Sequence, residues 1–260
     1  MPQKQKKISL VLGAGSARGL AHIGVIQVLE ENNVPIDCIV GSSMGAMVGG
    51  VYACGVDMKM LGRMLQHMDM NILFDLKIPR IGFIAGNKIS DFLNLLTKKK
   101  RFEDLELPLA MVATDLISGQ EVVMREGSIA EAIRASISIP GVFCPVKREG
   151  MVLVDGAVLN RLPVETAHNL GASSIVAVDV SFSESKQVIV NNAMDVIMTS
   201  LDLMQKQQFD LIYDKADILI QPEVGNFSPR DFNRVGDLIA LGRKAAEDKI
   251  EEIKKALLQF

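Results

Sequence analysis

Three short stretches combine residue types that could do chemistry. In GSSMG at residues 41–45, Gly41, Ser43 and Gly45 fit G-x-S-x-G. That pattern puts a serine on a sharp strand-to-helix turn, where glycines two residues to either side relieve clashes and the hydroxyl projects from the strand's end. The positive end of the departing helix favours negative charge developing there. Ser43 is therefore a candidate nucleophile, with a tight packing turn as the alternative for so short a pattern. A serine nucleophile needs oxyanion donors and a base. LGAGSARG at 12–19 also closes an apolar run and opens a helix, so its backbone N–H groups converge beside the serine turn. Gly15 and Ser16 are the expected donors, with the N–H of Met44 as a third. A P-loop is excluded because G-K-[ST] is absent. A dinucleotide fingerprint begins at Gly13 and Gly15, but its third glycine position holds Arg18 and no acidic residue ends the second strand, so it is the weaker match.

The base has few candidates, because the chain has 3 histidines. His22 lies within an apolar helix, as a core imidazole does, and His67 has no acidic neighbour at helical spacing. His168 follows Asp155 in the order Ser, Asp, His of a triad, but it falls at the flank of its helix rather than on the inward stripe. Asp155, in VLVDGAV, ends a strand and precedes a glycine. It emerges at the sheet's edge and could take the Ser43 proton directly; an Asp-Gly hairpin turn is the alternative.

The elements that must position these groups follow from hydrophobic patterning. Apolar runs at 8–12, 34–36 and 38–40 each lead into glycine turns or helices at 20–31 and 46–53, and two consecutive strand-turn-helix units imply a parallel sheet. Residues 57–105 are rich in helix formers and methionines and read as a cap. Strands are expected again at 109–113, 121–124, 151–154 and 174–180, with helices at 129–136 and 164–170. Beyond residue 180 the pattern predicts a long helix at 192–209, a strand at 217–220 and an amphipathic helix at 236–258. The last of these could cover the sheet's edge or build a dimer contact, which leaves oligomerisation open.

The bulk composition is that of a globular chain: 260 residues, 48% hydrophobic, 23% charged, formal net charge -3. Nothing in it calls for nucleic acid. Three cysteines without paired spacing suit neither a zinc site nor a disulfide framework and favour a reducing, cytoplasmic setting. No segment approaches the length of a membrane span, while transient contact with a membrane surface stays open, the KKKR run at 98–101 being one candidate and a solvated helix end the simpler account. Met44, Met47, Met58, Met60, Met64, Met68 and Met70 follow the serine and suit either an acyl-chain channel or ordinary packing.

Taken together, GAGSARG, GSSMGA and DGA at 155–157 resemble the patatin-like phospholipase family, in particular its short bacterial members and the catalytic domain of neuropathy target esterase. ATDLISG, SISIPGVF and NRLPVETAHNLGA also read like family sequence. The likeness covers residues 8–180 and leaves 181–260 as a mainly helical elaboration. It implies a three-layer α/β/α fold with a mostly parallel sheet, a Ser-Asp dyad of Ser43 and Asp155, and an oxyanion loop at Gly15 and Ser16. Gly13, Ala14, Arg18, Gly19, Gly41, Gly45, Gly156 and Ala157 complete the motifs. The implied activity is hydrolysis of acyl esters, as a phospholipase, lysophospholipase or carboxylesterase, with no metal or cofactor. The family often has three successive glycines where this chain has Ala14, Gly15 and Ser16. Alanine and serine keep the N–H donors but disfavour positive φ, so either Gly15 alone needs that freedom or the hole is altered. Arg18 could draw a phosphate head group, or could pair with a carboxylate or cap local backbone. A non-catalytic lipid- or protein-binding member, and acyl transfer to an acceptor other than water, are the competing functional readings.

Overall fold

The computed structural model describes residues 8–73, 84–181, 196, 199–200, 203–204 and 215–258. Strand β1 (Ile8–Leu12) is buried along its whole length, as its largely apolar run requires when both faces of a sheet are covered. A 3-10 turn (Ser16–Leu20) leads into α1 (Ala21–Glu31). The run read at 38–40 lies within β2 (Ile36–Ser42), which takes in only Ile36 of the run read at 34–36. Asp37 does not interrupt it, because its carboxylate accepts a 3.1 Å hydrogen bond from the Ser9 hydroxyl on β1.

Helix α2 (Met44–Ala53) leaves the serine turn directly, and α3 (Met58–His67) and α4 (Asn87–Leu96) follow it. Next come β3 (Leu109–Asp115), β4 (Gln120–Met124), α5 (Ile129–Ser136), β5 (Val146–Arg148) and β6 (Met151–Asp155). The described chain ends with α6 (Val164–Asn169), β7 (Ile175–Val178), β8 (Ile218–Ile220) and the C-terminal helix α7 (Val235–Leu258). The short, charged β5 carries no periodic signal and was not expected. The helix expected at 192–209 lies mostly outside the described residues; 196, 199–200 and 203–204 are helical.

The strands form one sheet in the order β5-β6-β3-β2-β1-β7-β8, with β4 paired to β3. The run β3-β2-β1-β7-β8 is parallel, and β4, β5 and β6 join antiparallel. Alternation sorts the side chains between two layers. Ile8, Leu10 and Leu12 face a large core shared with α1, α2, α5 and α7, whereas Val11, Val40 and Ala177 face Leu162, Val164 and Ala167 around α6. The sheet thus lies between helical layers.

One detail of register places the site. β4 pairs with residues 111–115 of β3, so β2 (on 109–112) and β6 (on 113–115) must share the opposite edge of β3. They run in opposite directions and meet end to end: Ser42 lies opposite Val112, and Asp155 opposite the next residue, Ala113.

The C-terminal helix lies on α1 and beside β8. Its backbone touches that of α1, since a Cβ at Gly242 would fall 1.9 Å from the Ala21 carbonyl oxygen and one at Gly24 2.1 Å from that of Ile239. Val235, Leu238 and Ile239 are buried in that contact and Leu241 partly so. The methionines after the serine do not form one lining: Met58 is buried, while Met60 and Met64 face outward on α3. The KKKR run closes α4, with Lys98 and Lys99 in left-handed conformation and Lys100 Nζ on the Cys54 carbonyl oxygen at 3.2 Å. Among the described residues, no helix is long and apolar enough to cross a membrane.

Candidate active site

Ser43 occupies the turn between β2 and α2 with φ 53° and ψ -120°, a conformation that non-glycine residues rarely hold without enforcement. Its neighbours supply the enforcement. A Cβ at Gly41 would lie 2.6 Å from the Ala46 Cα, and one at Gly45 only 2.1 Å from the Leu12 carbonyl oxygen. Gly41 therefore clears the elbow itself, whereas Gly45 lets the start of α2 close on the end of β1. The Ser43 N–H donates to Ser136 Oγ at 2.9 Å, and that hydroxyl donates to the Val112 carbonyl oxygen at 2.7 Å. The elbow is thereby tied to both α5 and β3.

The Ser43 hydroxyl donates to Asp155 Oδ2 at 2.7 Å, and both residues are buried. Asp155 does not rise from a strand end equivalent to that of Ser43, as its position in the sequence suggests. It arrives on an antiparallel strand, from the opposite direction, and no hairpin follows: Gly156–Val158 is a 3-10 turn in which the Ala157 N–H donates to Asp155 Oδ1 at 2.8 Å. The Asp155 N–H donates to the Ser138 carbonyl oxygen at 2.9 Å, and Ser138 Oγ accepts from the buried Arg134 at 2.6 Å. Burial pushes the Asp155 carboxyl up from 3.8 to about 6, against the opposing pulls of the Ser43 and Ala157 hydrogen bonds and the Arg161 charge. Ser136, Ser138 and Arg134 were not singled out in the sequence; the run RASIS at the end of an amphipathic helix was the available signal.

The glycine-rich loop separates into spent and free donors. Gly13 N–H binds the Val178 carbonyl oxygen at 3.0 Å and Ala14 N–H that of Arg161 at 2.9 Å. The N–H groups of Gly15, Ser16 and Met44 have no acceptor among the described residues. Gly15 is extended at φ -178°, and its lack of a side chain serves close approach instead, since a Cβ would lie 2.4 Å from Val180 Cγ2. The positive φ falls on Ser16, at 51°. Of the two alternatives the sequence leaves open, the one in which Gly15 alone needs that freedom does not hold. Ser16 Oγ donates to the Pro229 carbonyl oxygen at 2.7 Å. Gly19 leaves room for the Met44 side chain, which a Cβ there would meet at 2.4 Å.

Arg18 caps backbone. Its Nε donates to the Phe227 carbonyl oxygen at 2.7 Å and Nη1 to that of Ser181 at 3.3 Å, with the side chain buried. The histidines stand apart from the dyad. His22 Nε2 donates to the Gly13 carbonyl oxygen at 2.8 Å, and burial lowers its pKa to about 4, so the ring is neutral. His168 is exposed and meets the Lys215 carbonyl oxygen at 2.8 Å, and His67 lies exposed at the end of α3. Among the described residues, no histidine bonds Ser43 or Asp155, and no group of three or more His, Cys, Asp or Glu side chains could hold a metal ion.

A hydroxyl on a carboxylate, beside unpaired backbone N–H groups at a helix start, can attack an acyl carbon and stabilise the resulting oxyanion. Comparison with known proteins agrees in family. The family model for patatin-like phospholipase matches residues 10–168. An NTE family protein of Mycobacterium tuberculosis is 40% identical over 181 residues, covering 69% of this chain and 50% of that protein. Patatin-like phospholipase domain-containing protein 6 of Homo sapiens is 34% identical over 181 residues, 66% of this chain and 13% of that protein. The chain therefore spans half or less of the length of these relatives. In fold it is similar to VipD from Legionella pneumophila, with TM-score 0.55 and 14% identity over 96% of this chain and 67% of that one. The type III effector ExoU matches with TM-score 0.53 and 14% identity over 95% of this chain and 53% of that one. With the motifs, the sheet and the family model all in agreement, the chain belongs to the patatin-like phospholipase family.

Proposed function

We propose that this chain hydrolyses acyl esters of lipids with Ser43 as nucleophile and Asp155 as its base. The observation that carries this reading is the buried 2.7 Å hydrogen bond from Ser43 to Asp155 at the start of α2, with no imidazole interposed. Asp155 takes the Ser43 proton, the alkoxide attacks the ester carbonyl, and the N–H groups of Gly15, Ser16 and Met44 receive the oxyanion. The alcohol leaves with the proton held at Asp155, and water activated by the same carboxylate releases the acyl group. A carboxyl raised to about 6 suits both halves of the cycle, because it is ionised near neutrality yet basic enough to hold a proton in transit. Phospholipids and lysophospholipids are the substrate class the family membership supports, and such substrates would require contact with a lipid surface on the cytoplasmic side.

Labelling with a fluorophosphonate followed by peptide mass spectrometry tests the reading. Modification is expected at Ser43, and Ser43→Ala or Asp155→Asn should lower ester turnover by about 10³-fold or more. His168→Ala should leave turnover within about two-fold of wild type. Label at another residue, or turnover that survives Ser43→Ala, would remove the assignment; lipid binding without turnover would select a binding protein.

A further inference from the structure

Serine at φ 51° is an unfavourable choice for a loop whose N–H groups must hold one direction, because nothing in its own backbone prevents relaxation to negative φ. In this chain the restraint comes from far along the sequence. The Pro229 carbonyl oxygen accepts from Ser16 Oγ at 2.7 Å and from the Ala17 N–H at 3.2 Å, and the Phe227 carbonyl oxygen accepts from Arg18 Nε at 2.7 Å. Three consecutive loop residues thus hang on carbonyls two residues apart.

That segment is itself braced. The Ser228 N–H donates to Asp231 Oδ2 at 2.6 Å, and the Asp231 N–H returns to the Ser228 carbonyl oxygen at 3.1 Å. The Arg234 guanidinium lies over the Phe227 ring at 5.0 Å, and the Pro229 ring fixes its own φ. Residues 227–229 also lie outside the stretch matched by the family model, residues 10–168.

We propose that residues 227–229 form a strap that holds Ser16 in the left-handed conformation, so that the Ser16 hydroxyl and Arg18 are positioning groups for the oxyanion donors. The strap takes the place of the conformational freedom that a glycine at position 16 would supply. The proposal rests on the reading of Gly15, Ser16 and Met44 as those donors. Since the Ser16 hydroxyl is spent on Pro229, what position 16 offers a substrate is its N–H.

The test compares Ser16→Ala with Ser16→Gly. Alanine loses the strap bond and still disfavours positive φ, whereas glycine loses the bond but accepts that φ without strain. Misaligning a donor costs less than deleting one, so Ser16→Ala should lower kcat roughly ten-fold with KM within about two-fold, and slow fluorophosphonate labelling of Ser43 in parallel. Ser16→Gly should lose clearly less than Ser16→Ala on both measures, because glycine holds the left-handed φ without the strap bond. Circular dichroism and Tm establish that both variants are folded. A side chain wanted only for packing gives the opposite order, with alanine close to wild type and glycine worse. That order, or Ser16→Ala turning over and labelling at the wild-type rate, overturns the strap. Failure of wild-type Ser43 to label, or turnover surviving Ser43→Ala, instead removes the hydrolase reading beneath it.

Discussion

Ser16 and Ser43 sit at the ends of adjacent parallel strands in nearly the same unusual backbone state, at φ 51° and 53°, but they are held there by different means. At Ser43 much of the enforcement is local: Gly41 lets the chain turn within five residues and Gly45 lets α2 start against the end of β1, with the N–H also tied to Ser136, 93 positions away. At Ser16 the flanking Gly15 and Gly19 make room for Val180 and Met44, and the restraint on the serine comes through a hydroxyl bonded to a carbonyl 213 positions away. Locally enforced strain is written as a motif; strain enforced at a distance leaves no local signature.

The comparison is broken most severely at its local side. Gly45→Ala drives a Cβ into the Leu12 carbonyl oxygen, a backbone atom that cannot swing away. It should cost about 2–3 kcal/mol or more in chemical unfolding and disturb the serine turn and the donor loop together. A Gly45→Ala protein as stable as wild type would show that the contact between α2 and β1 is loose.

A smaller effect should appear in the pH dependence of Asp155, the proposed base. Asp155 must be ionised to act as base, so kcat/KM should fall about ten-fold per pH unit well below 6 and level off above it. The stability effect has the opposite sense. The folded-state pKa, about 6, lies above the ordinary 3.8, so the native state holds the proton more tightly than the unfolded chain. The stability from that difference is complete below about 3.8 and is lost as pH rises through about 6. Asparagine carries no such charge, so the Tm of Asp155→Asn relative to wild type should climb across this window, as differential scanning fluorimetry would show. A flat difference would mean that burial does not govern the carboxyl.

The smallest effect tests the remote side. Asp231→Ala removes the carboxylate that braces Ser228 but touches neither the loop nor the dyad. A two- to three-fold fall in kcat at unchanged KM is expected, from the loss of a single exposed hydrogen bond. A change confined to Tm would place Asp231 outside the strap.

Much of the site could be read in the chain because its enforcing contacts are short-range. Ser43 is announced by Gly41 and Gly45, and Asp155 by the strand end and the following Gly156. The parallel order of the central strands follows from helices inserted between them. What escaped reading depended on pairing partners. β5 is too short and too charged to show a period, and Ser136 and Ser138 look like ordinary residues at a helix end until β3 and β6 are laid beside them. Arg18 was open between a phosphate, a carboxylate and nearby backbone, and its partners include the distant carbonyls of Phe227 and Ser181. The methionines looked like one cluster because they are close in sequence, yet helical geometry sends Met58 inward and Met60 and Met64 outward.

By itself, then, the sequence determined the elements and the strained turn at Ser43 wherever glycine spacing and apolar period act within a few residues, since those are steric constraints on one stretch of backbone. The tertiary structure alone decided how the ends of β2 and β6 meet on one edge of β3, which brings Asp155 to Ser43, and which distant carbonyls hold Ser16. The first depends on strand pairings between residues tens of positions apart and the second on a hydrogen bond that spans 213, and no local pattern encodes such a pairing.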